Sequence, residues 1–398
     1  MTMFGFKEAE LAQLVREVSP GRLDRDGIEA RFARAAWSGL TEPGDGVAGV
    51  LIGRLGAPAA LAALIEGRSA DALSSEELSV ADIQQGLDRW MPRFKPPILL
   101  QWLRQAARYG VQLRIPGDEH WPEGFADLRR HAPLALWTRG REEALASLGR
   151  SIALVGARAA TGYGEHVTME ASAGLVDRGF AIVSGAAYGI DGMAHRAALA
   201  SRGHTVAFLA GGVDRFYPSG HDALLTRIVE HGLVASELPC GSAPTRWRFL
   251  QRNRLIAASS LATVVIEAGY RSGALNTAYH AEDAGHPVGA VPGPVTSAAS
   301  AGCHKLMREG RATLVTSADD MAELVGPIEP DPEEPRPPEN TRVLDAMSTR
   351  VQRSPDDIAA RAGISVAEAQ SELGRLEVEG VVRPGERGWT KRGAQRDP

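Results

Sequence analysis

The sequence predicts an α/β protein: an extended Rossmann-like doubly wound sheet, with a helical domain before it and a winged helix after it. Over residues 150–326, short and almost wholly apolar runs alternate with amphipathic helices, as in parallel strands covered on both faces. Residues 1–110 are alanine- and leucine-rich segments broken by glycine and proline, which indicates helices. Residues 341–392 have the helix, helix, turn, helix and two-strand pattern of a winged helix-turn-helix.

The composition is that of a soluble globular protein with two or three domains. The chain has 398 residues, of which 44% are hydrophobic and 23% charged, and its net charge is −5. It has no apolar run long enough to span a bilayer and no signal peptide at its start, so we expect a cytoplasmic protein without a membrane partner. Its two cysteines, Cys240 and Cys303, lack disulfide-framework and metal-ligand spacing. Because the chain is acidic, nucleic acid would have to bind in a local groove.

The first predicted domain, residues 1–110, contains two short apolar segments that meet at a Gly-Ala-Pro turn within residues 51–64. This outline fits a SAM-like or helix-hairpin-helix module, which can hold a nucleic-acid backbone through amides at helix N-termini. A helical bundle without a ligand is the alternative, and it fits the sequence better.

The second predicted domain, residues 111–326, carries the sheet. Its predicted strands are residues 151–155, 180–184, 205–209, 233–236, 263–267, 288–291 and 312–315. The carboxyl ends of parallel strands meet at one edge, and ligands of open α/β sheets bind there. We therefore expect any binding site at that edge.

Glycine-rich loops follow the first three of these strands, at residues 155–164, 184–191 and 210–218. Such loops expose backbone amides and the positive end of a helix dipole. The first loop is not Gly-x-Gly-x-x-Gly, and no acidic residue follows the second strand to hold a ribose, so we expect no NAD and no other cofactor. Arg158 adds a positive charge that suits a bare phosphate. The alternative is that the glycines only permit tight turns.

An arginine-rich segment lies just before the fifth predicted strand. Four arginines and two aromatic residues fall within residues 246–254. Guanidinium groups bind phosphate oxygens in pairs and aromatic rings stack on bases, although a helix start with solvated arginines explains the segment equally well. Together with residues 271–273, the loops and this segment predict a groove for a chain of phosphates.

The sequence offers little catalytic apparatus and no convincing metal site. No histidine pairs with an evident nucleophile. Glu267, at the end of an apolar strand, is the best lone catalytic candidate, and a carboxylate bonded to loop amides explains it equally well. Asp191 and His195 lie four residues apart, and we favour a structural or helix-cap role for that pair.

Residues 327–340 predict an extended linker, because six prolines and five acids deny it a packed core. In the winged helix that follows, Pro384 and Gly385 predict the wing turn. Its candidate recognition helix, residues 366–379, carries four glutamates against one arginine, so we expect no major-groove reading of duplex DNA. Cations in and beyond the wing remain able to touch phosphate: Arg383, Arg387, Lys391 and Arg392.

Six motifs, in order along the chain, resemble those of the DNA-processing protein A (DprA, or Smf) family. They are residues 155–164, 184–191, 211–218, 249–257, 267–278 and 291–302, within a resemblance that covers about 110–326. The resemblance implies a non-enzymatic protein that binds single-stranded DNA. It further implies protection of incoming strands during natural transformation, loading of the RecA recombinase and a homodimer.

Position by position, the resemblance implies that nine residues contact DNA. They are Arg158 for phosphate, Ser184 and Gly185 of the second loop, the basic element Arg252, Asn253 and Arg254, and the element Ser272, Gly273 and Thr277. Three positions depart from the family pattern. Tyr188 stands where a basic residue is common, His221 where asparagine is expected, and Asn276 where an apolar or β-branched residue is usual. Tyr188 removes a phosphate contact and offers a ring for stacking on a base.

An enzyme is the competing interpretation. Nucleotide-processing Rossmann proteins of the lysine-decarboxylase-like (LOG) group share this kind of sheet and cleave the glycosidic bond of nucleotides. Their signature resembles Pro-Gly-Gly-x-Gly-Thr-x-x-Glu. Residues 267–273 lack that glycine cluster and its trailing glutamate, so we favour DNA binding.

Overall fold

The structure is a computed structural model that describes residues 2–326, 339–349, 351–378, 381–385 and 388–391. The chain forms two compact units, Met1–Gly326 and Pro327–Pro398. Most of the predicted linker (327–338), Arg387 and Arg392 lie outside the described residues. The bounds of the four predicted segments, three domains and a linker, remain proposals.

From residue 151 to the end of the first unit, strands and helices alternate as predicted. Its strands are β1 (Thr2–Met3), β2 (Phe6–Lys7), β3 (Gln112–Arg114), β4 (Leu136–Gly140), β5 (Ser151–Val155), β6 (Ala181–Ser184), β7 (Thr205–Phe208), β8 (Leu233–Ser236), β9 (Ala262–Val265), β10 (Val288–Ala290) and β11 (Thr313–Leu314).

Its α-helices fall into two groups. Those before the sheet are α1 (Glu8–Glu17), α2 (Arg25–Leu40), α3 (Gly46–Leu55), α4 (Ala57–Ile65), α5 (Ala70–Leu73), α6 (Val80–Trp90) and α7 (Pro96–Arg108). Those among the strands are α8 (Glu142–Ala146), α9 (Gly162–Asp177), α10 (Ile190–Ala200), α11 (Asp222–His231), α12 (Arg246–Ala258), α13 (Ala274–Asp283), α14 (Ala301–Arg308) and α15 (Ala318–Glu323).

Nine strands form one sheet in the order β11-β10-β9-β5-β6-β7-β8-β4-β3. The seven from β5 to β11 pair in parallel, which confirms the predicted doubly wound sheet. Each of the seven predicted strands is present, with ends within two residues of the prediction. Two pairs of strands were not predicted: β1 and β2, which pair antiparallel within the region predicted to be helical, and β3 and β4, which are antiparallel at one edge of the sheet. They mix apolar with polar and charged residues, so they lack the continuous apolar runs that marked the parallel strands.

The order of the strands creates a switch point beside β5. From β5 the chain builds β6, β7 and β8 on one side, then crosses to form β9, β10 and β11 on the other. The connections that follow β5 and β9 consequently lead in opposite directions along the sheet, to β6 and to β10. In open α/β sheets this divergence opens the crevice in which ligands bind.

The helices α1 to α7 pack onto the β3–β4 end of the sheet and share its core. Trp137 of β4 is fully buried and its Nε1 donates to Ser38 Oγ at 3.0 Å. Arg31 of α2 donates to the Leu113 carbonyl of β3 and forms a bidentate ion pair with Asp118. Helices therefore make up most of residues 1–110, as predicted, while the assignment to a SAM-like or helix-hairpin-helix module remains a proposal.

The helices α3 and α4 meet at an angle of 107°, at the predicted Gly-Ala-Pro turn. Gly56, between them, has φ of +80°, a left-handed conformation that favours glycine. Within the described ranges, no single helix has the length and apolar character to cross a membrane; this bent pair satisfies that test together, on length and composition alone.

The second unit contains α16 (Glu339–Ala346), α17 (Pro355–Ala362), α18 (Val366–Val378), β12 (Val382–Gly385) and β13 (Gly388–Lys391). Its core is formed by side chains from all three helices and β12, among them Val343, Ile358, Leu373 and Val382. The predicted position of the wing turn was wrong. Pro384 and Gly385 pair with Trp389 and Gly388 inside the antiparallel ladder, so these two residues belong to the strand β12.

We predict that Arg31→Ala lowers the free energy of unfolding of the first unit by roughly 3 kcal/mol, because it leaves the Asp118 carboxylate without its partner in a largely buried site. Arg25→Ala is the matched control. Arg25 pairs with Glu8 at 3.3 Å and is 63% exposed, so its loss should lower the free energy by less than about 1 kcal/mol. Thermal unfolding followed by circular dichroism measures both variants, and equal midpoints would contradict the prediction.

Candidate nucleic-acid interface

The loops at the carboxyl edge of the sheet touch one another. The loop after β5 accepts a hydrogen bond at Ala157 O from the Ile190 amide at 3.2 Å, which joins it to the loop after β6. The Ala157 amide donates to the Glu267 carbonyl at 2.7 Å, which joins it to the loop after β9. We call the loops 156–161, 185–189, 209–218 and 266–273, with the first turns of α12, the carboxyl-edge surface.

Arg252 holds two of these loops together by hydrogen bonds to backbone carbonyls. Its Nη1 donates to the Gly185 carbonyl at 2.7 Å and to the Phe208 carbonyl at 2.5 Å, at the ends of β6 and β7. Burial lowers the pKa of Arg252 to about 10, against the opposing charge of Asp191 and with a smaller contribution from Arg158. The guanidinium stays charged at neutral pH and holds the backbone of both loops.

Ser184 and Gly185 have internal partners. The fully buried Ser184 hydroxyl donates to the Leu154 carbonyl at 2.6 Å, and the Gly185 amide donates to Asp191 at 3.2 Å. A Cβ at Gly185 would lie 2.3 Å from Arg252 Nη1, so only glycine leaves room for the guanidinium. Their predicted contacts with DNA remain predictions, and the structure adds an internal role for both.

The remaining arginines of the segment are mostly paired within the protein. Arg254 is 3% exposed and donates from Nη2 to both carboxylate oxygens of Glu237, each at 2.6 Å. Burial raises the pKa of Glu237, and the charge of Arg254 opposes that rise. Arg248 donates to Glu42 of the N-terminal helical part at 2.9 and 2.8 Å. The sequence analysis weighed phosphate ligands against solvated side chains, and for these arginines it missed the internal ion pairs.

Asn253, Ser272, Gly273 and Thr277 come together where α12 meets the start of α13. Asn253 Nδ2 donates to Asn276 Oδ1 at 3.2 Å and to the Gly273 carbonyl at 3.4 Å. Of the Ser-Gly-x-Leu-x-Thr element, Gly273 is exposed, Ser272 is half-buried and Thr277 is buried. Direct DNA contact from this element is therefore easiest to place at its first two residues.

Arg158 differs from the other predicted arginines because it is exposed. Its guanidinium carbon lies 5.2 Å from the centroid of the Phe249 ring, and the same ring packs on Tyr217 at 5.5 Å. Tyr188, Tyr217 and Trp247 are exposed by 46%, 50% and 55%. Phe249 is one of the two aromatic residues of the arginine-rich segment for which base stacking was considered, whereas Tyr217 was given no role. Their proximity to Arg158 arises only when the loops after β5 and β7 reach the same edge.

Glu267 is buried and hydrogen-bonded to a neighbouring loop. It is 2% exposed, and its carboxylate accepts from the Thr161 hydroxyl at 2.6 Å and from the Thr161 amide at 3.0 Å. Glu267 lies in the loop after β9, and its carboxylate thus holds the loop after β5 in place. This geometry favours the loop-binding interpretation of Glu267 over the catalytic one.

Asp191 and His195 are both buried, and each bonds elsewhere. Asp191 accepts from the amides of Gly185 and Ala187, while His195 Nδ1 lies 2.7 Å from Thr205 Oγ1. Burial lowers the pKa of His195 to about 3, so its imidazole is neutral near pH 7. In the portion of the chain that the structure describes, no group of three His, Cys, Asp or Glu residues could hold a metal ion.

Comparison with known proteins agrees with this architecture. A family model described as DNA recombination-mediator protein A matches residues 112–326, and a model of the DprA winged helix domain matches residues 327–386. The chain is 48% identical over 301 residues to a putative DNA processing protein DprA of Mycobacterium tuberculosis, spanning 71% of this chain and 77% of that protein. It is 34% identical over 309 residues to protein Smf of Escherichia coli, spanning 73% and 79%.

A solved structure shows the same fold. The X-ray structure of DprA from Streptococcus pneumoniae matches with a TM-score of 0.60 and 31% sequence identity, covering 73% of this chain and 96% of that one.

We predict that Gly185→Ala lowers the free energy of unfolding by about 1–3 kcal/mol, because the added methyl group displaces the buried Arg252 guanidinium. Gly273→Ala is the control. Gly273 has φ of −63° and open space where a Cβ would stand, so the same substitution should leave the stability unchanged or slightly raised. Thermal unfolding of both variants gives the comparison. A Gly185→Ala protein as stable as the control would show that Arg252 does not depend on the glycine.

Proposed function

The chain belongs to the DNA recombination-mediator protein A family, and on that premise we propose that its carboxyl-edge surface binds single-stranded DNA without catalysing a reaction. One observation carries the proposal. Arg158, an exposed cation, lies over the Phe249 ring, and that ring packs on the exposed Tyr217. The exposed Tyr188 and Trp247 belong to the same carboxyl-edge surface. Proteins that hold single strands without sequence preference combine cations for the backbone with rings on which bases stack.

The aromatic rings favour single strands over duplex DNA. A ring can stack only on a base that is free of its neighbours, and the bases of a duplex are already stacked and paired. The net charge of −5 confines either form of DNA to a local site, since an acidic protein attracts a polyanion only where cations are concentrated locally. Arg158, with the exposed Arg246 and Arg271, supplies that local charge.

The absence of catalysis is part of the proposal. Glu267 and His195, the groups best suited to acid or base chemistry here, are buried and hydrogen-bonded within the fold. A nucleotide-processing enzyme remains the rival class. Release of free base from nucleoside monophosphates, followed by chromatography, would favour that rival.

We also propose, from family membership, that the chain protects incoming strands in the cytoplasm during natural transformation and recombination, and loads the RecA recombinase onto them. A homodimer belongs to the same proposal. The two copies of the surface in a dimer could bind one strand at two places, which raises the overall affinity without any new kind of contact.

We predict that affinity for single-stranded DNA falls by about 0.7 log units per log unit of salt for each phosphate contacted. Arg158→Ala should weaken binding to all sequences alike and flatten that slope by about 0.7, since one phosphate contact is lost. Arg254→Ala is less informative, because it would leave the Glu237 carboxylate buried without its partner. Fluorescence anisotropy with single- and double-stranded oligonucleotides across a salt series measures these quantities.

Arg22→Ala is the control for Arg158→Ala. Arg22 is also exposed, and the neighbouring Pro20 and Gly21 line a cavity with Leu233, at the amino end of β8 and so at the opposite edge of the sheet. This variant should bind as the wild type does. Binding that ignores salt, or that survives Arg158→Ala unchanged, would rule out a phosphate-binding surface at this edge.

We predict that removing residues 327–398 leaves the affinity for single-stranded DNA within about twofold, because α18 is not built for a nucleic-acid backbone. That helix presents Glu368 and Glu377, and its Arg375 is held by Glu372 at 2.6 Å. Leu373 and Leu376 are buried in the core of the second unit. We therefore propose that this unit contacts a protein partner. Loss of single-strand affinity in the truncated chain, or sequence-specific duplex binding by residues 341–398, would contradict this.

A further inference from the structure

We propose that Tyr188, packed edge to face on the buried His221, is a base-stacking platform for single-stranded DNA, at a position where the family resemblance implies a phosphate contact. This inference rests on the proposed function. It specifies which part of the DNA is recognised by the loop that carries Tyr188. It assigns the loop after β6 to an unpaired base, and leaves the phosphate to Arg158.

The two positions are departures from the family pattern, and the fold brings them into contact. Tyr188 lies in the loop after β6, and His221 ends a short 3-10 helix, Ser219–His221, that follows the loop after β7. Their ring centroids are 4.8 Å apart and the rings meet edge to face at 72°. Two changes far apart in sequence thus make one aromatic pair.

Neighbouring glycines leave space for both rings. A Cβ at Gly220 would lie 2.5 Å from the Tyr188 hydroxyl, and a Cβ at Gly192 would lie 2.5 Å from Cε1 of His221. Larger residues at either position would push one ring out of the pair. The pair is therefore accommodated by the surrounding backbone and is more than an accidental surface contact.

The loop that carries Tyr188 is fixed on both sides. Ala186 has φ of +53°, a left-handed conformation that is rare for alanine, and its carbonyl accepts from His221 Nδ1 at 3.0 Å. Asp191 accepts from the amides before and after Ala186, at 3.2 and 3.4 Å. A tyrosine on a preorganised loop presents its ring with little ordering left to lose on binding.

The Tyr188 ring is 46% exposed although its loop is held so firmly. It has no charge for a phosphate. The adjacent loop after β5 carries the exposed Arg158, and the backbone carbonyl of that residue would lie 2.6 Å from a Cβ at Gly189. Recognition at this point depends on the base, and the salt dependence comes from Arg158.

The test compares two strands of equal length, oligothymidylate and the same backbone with abasic sites, by fluorescence anisotropy on the full chain. We expect the wild type to prefer the strand with bases. Tyr188→Leu, which keeps an apolar side chain without a ring, should lower the affinity for oligothymidylate by about 5- to 150-fold and leave abasic binding unchanged. Tyr188→Phe should retain the preference, which separates stacking from a structural role of the side chain.

Two further variants complete the test. Tyr188→Lys should weaken the preference for bases as Tyr188→Leu does, and it should steepen the salt slope by about 0.7, since it adds a phosphate contact. Tyr109→Leu, at another exposed tyrosine just after α7, should bind as the wild type does. Equal wild-type affinity for the two strands, or an unchanged preference in Tyr188→Leu, would overturn the platform while leaving single-strand binding intact. A wild type that binds neither strand would overturn the proposed function itself.

Discussion

The carboxyl-edge surface depends on one buried guanidinium. Arg252 bonds the backbone carbonyls that end two neighbouring strands, those of Gly185 and Phe208. Carbonyls at the ends of strands have no partner in the ladder and would otherwise need water. By satisfying both, Arg252 fixes where the next two loops begin, and with them the positions of Tyr188 and Tyr217. Asp191, buried nearby, balances part of its charge and holds the amides of the same loop.

Two other arginines of α12 are also paired within the protein. Arg254 is matched by Glu237 and Arg248 by Glu42, so much of the positive charge that the segment carries is neutralised inside the protein. What reaches the surface is a small number of cations among several rings. For a protein with a net charge of −5, this balance favours contacts with bases as much as contacts with phosphates.

The fold was largely predictable because buried parallel strands have nearly continuous apolar sequences, and all seven such runs are strands in the structure. β3 and β4 were not predicted because these antiparallel edge strands lack such a run. The predicted position of the wing turn was wrong because Pro384 joins the ladder and pairs with Trp389. The motifs predicted which residues gather at the edge. They could not predict that Ser184, Arg252 and Arg254 face inward, because their partners, among them Leu154, Phe208 and Glu237, lie far away in sequence and are set by the topology.

The shared core of the N-terminal helices and the sheet has an evolutionary consequence. Trp37 of α2 and Trp137 of β4 belong to one continuous apolar cluster, which also includes Leu225 of α11. A helical part that completes its neighbour's core cannot be exchanged between proteins as an independent module, because either piece alone would expose an apolar face. Residues 1–110 and the sheet should therefore be inherited together and change in step, with a substitution on one side of the cluster answered by a compensating one on the other.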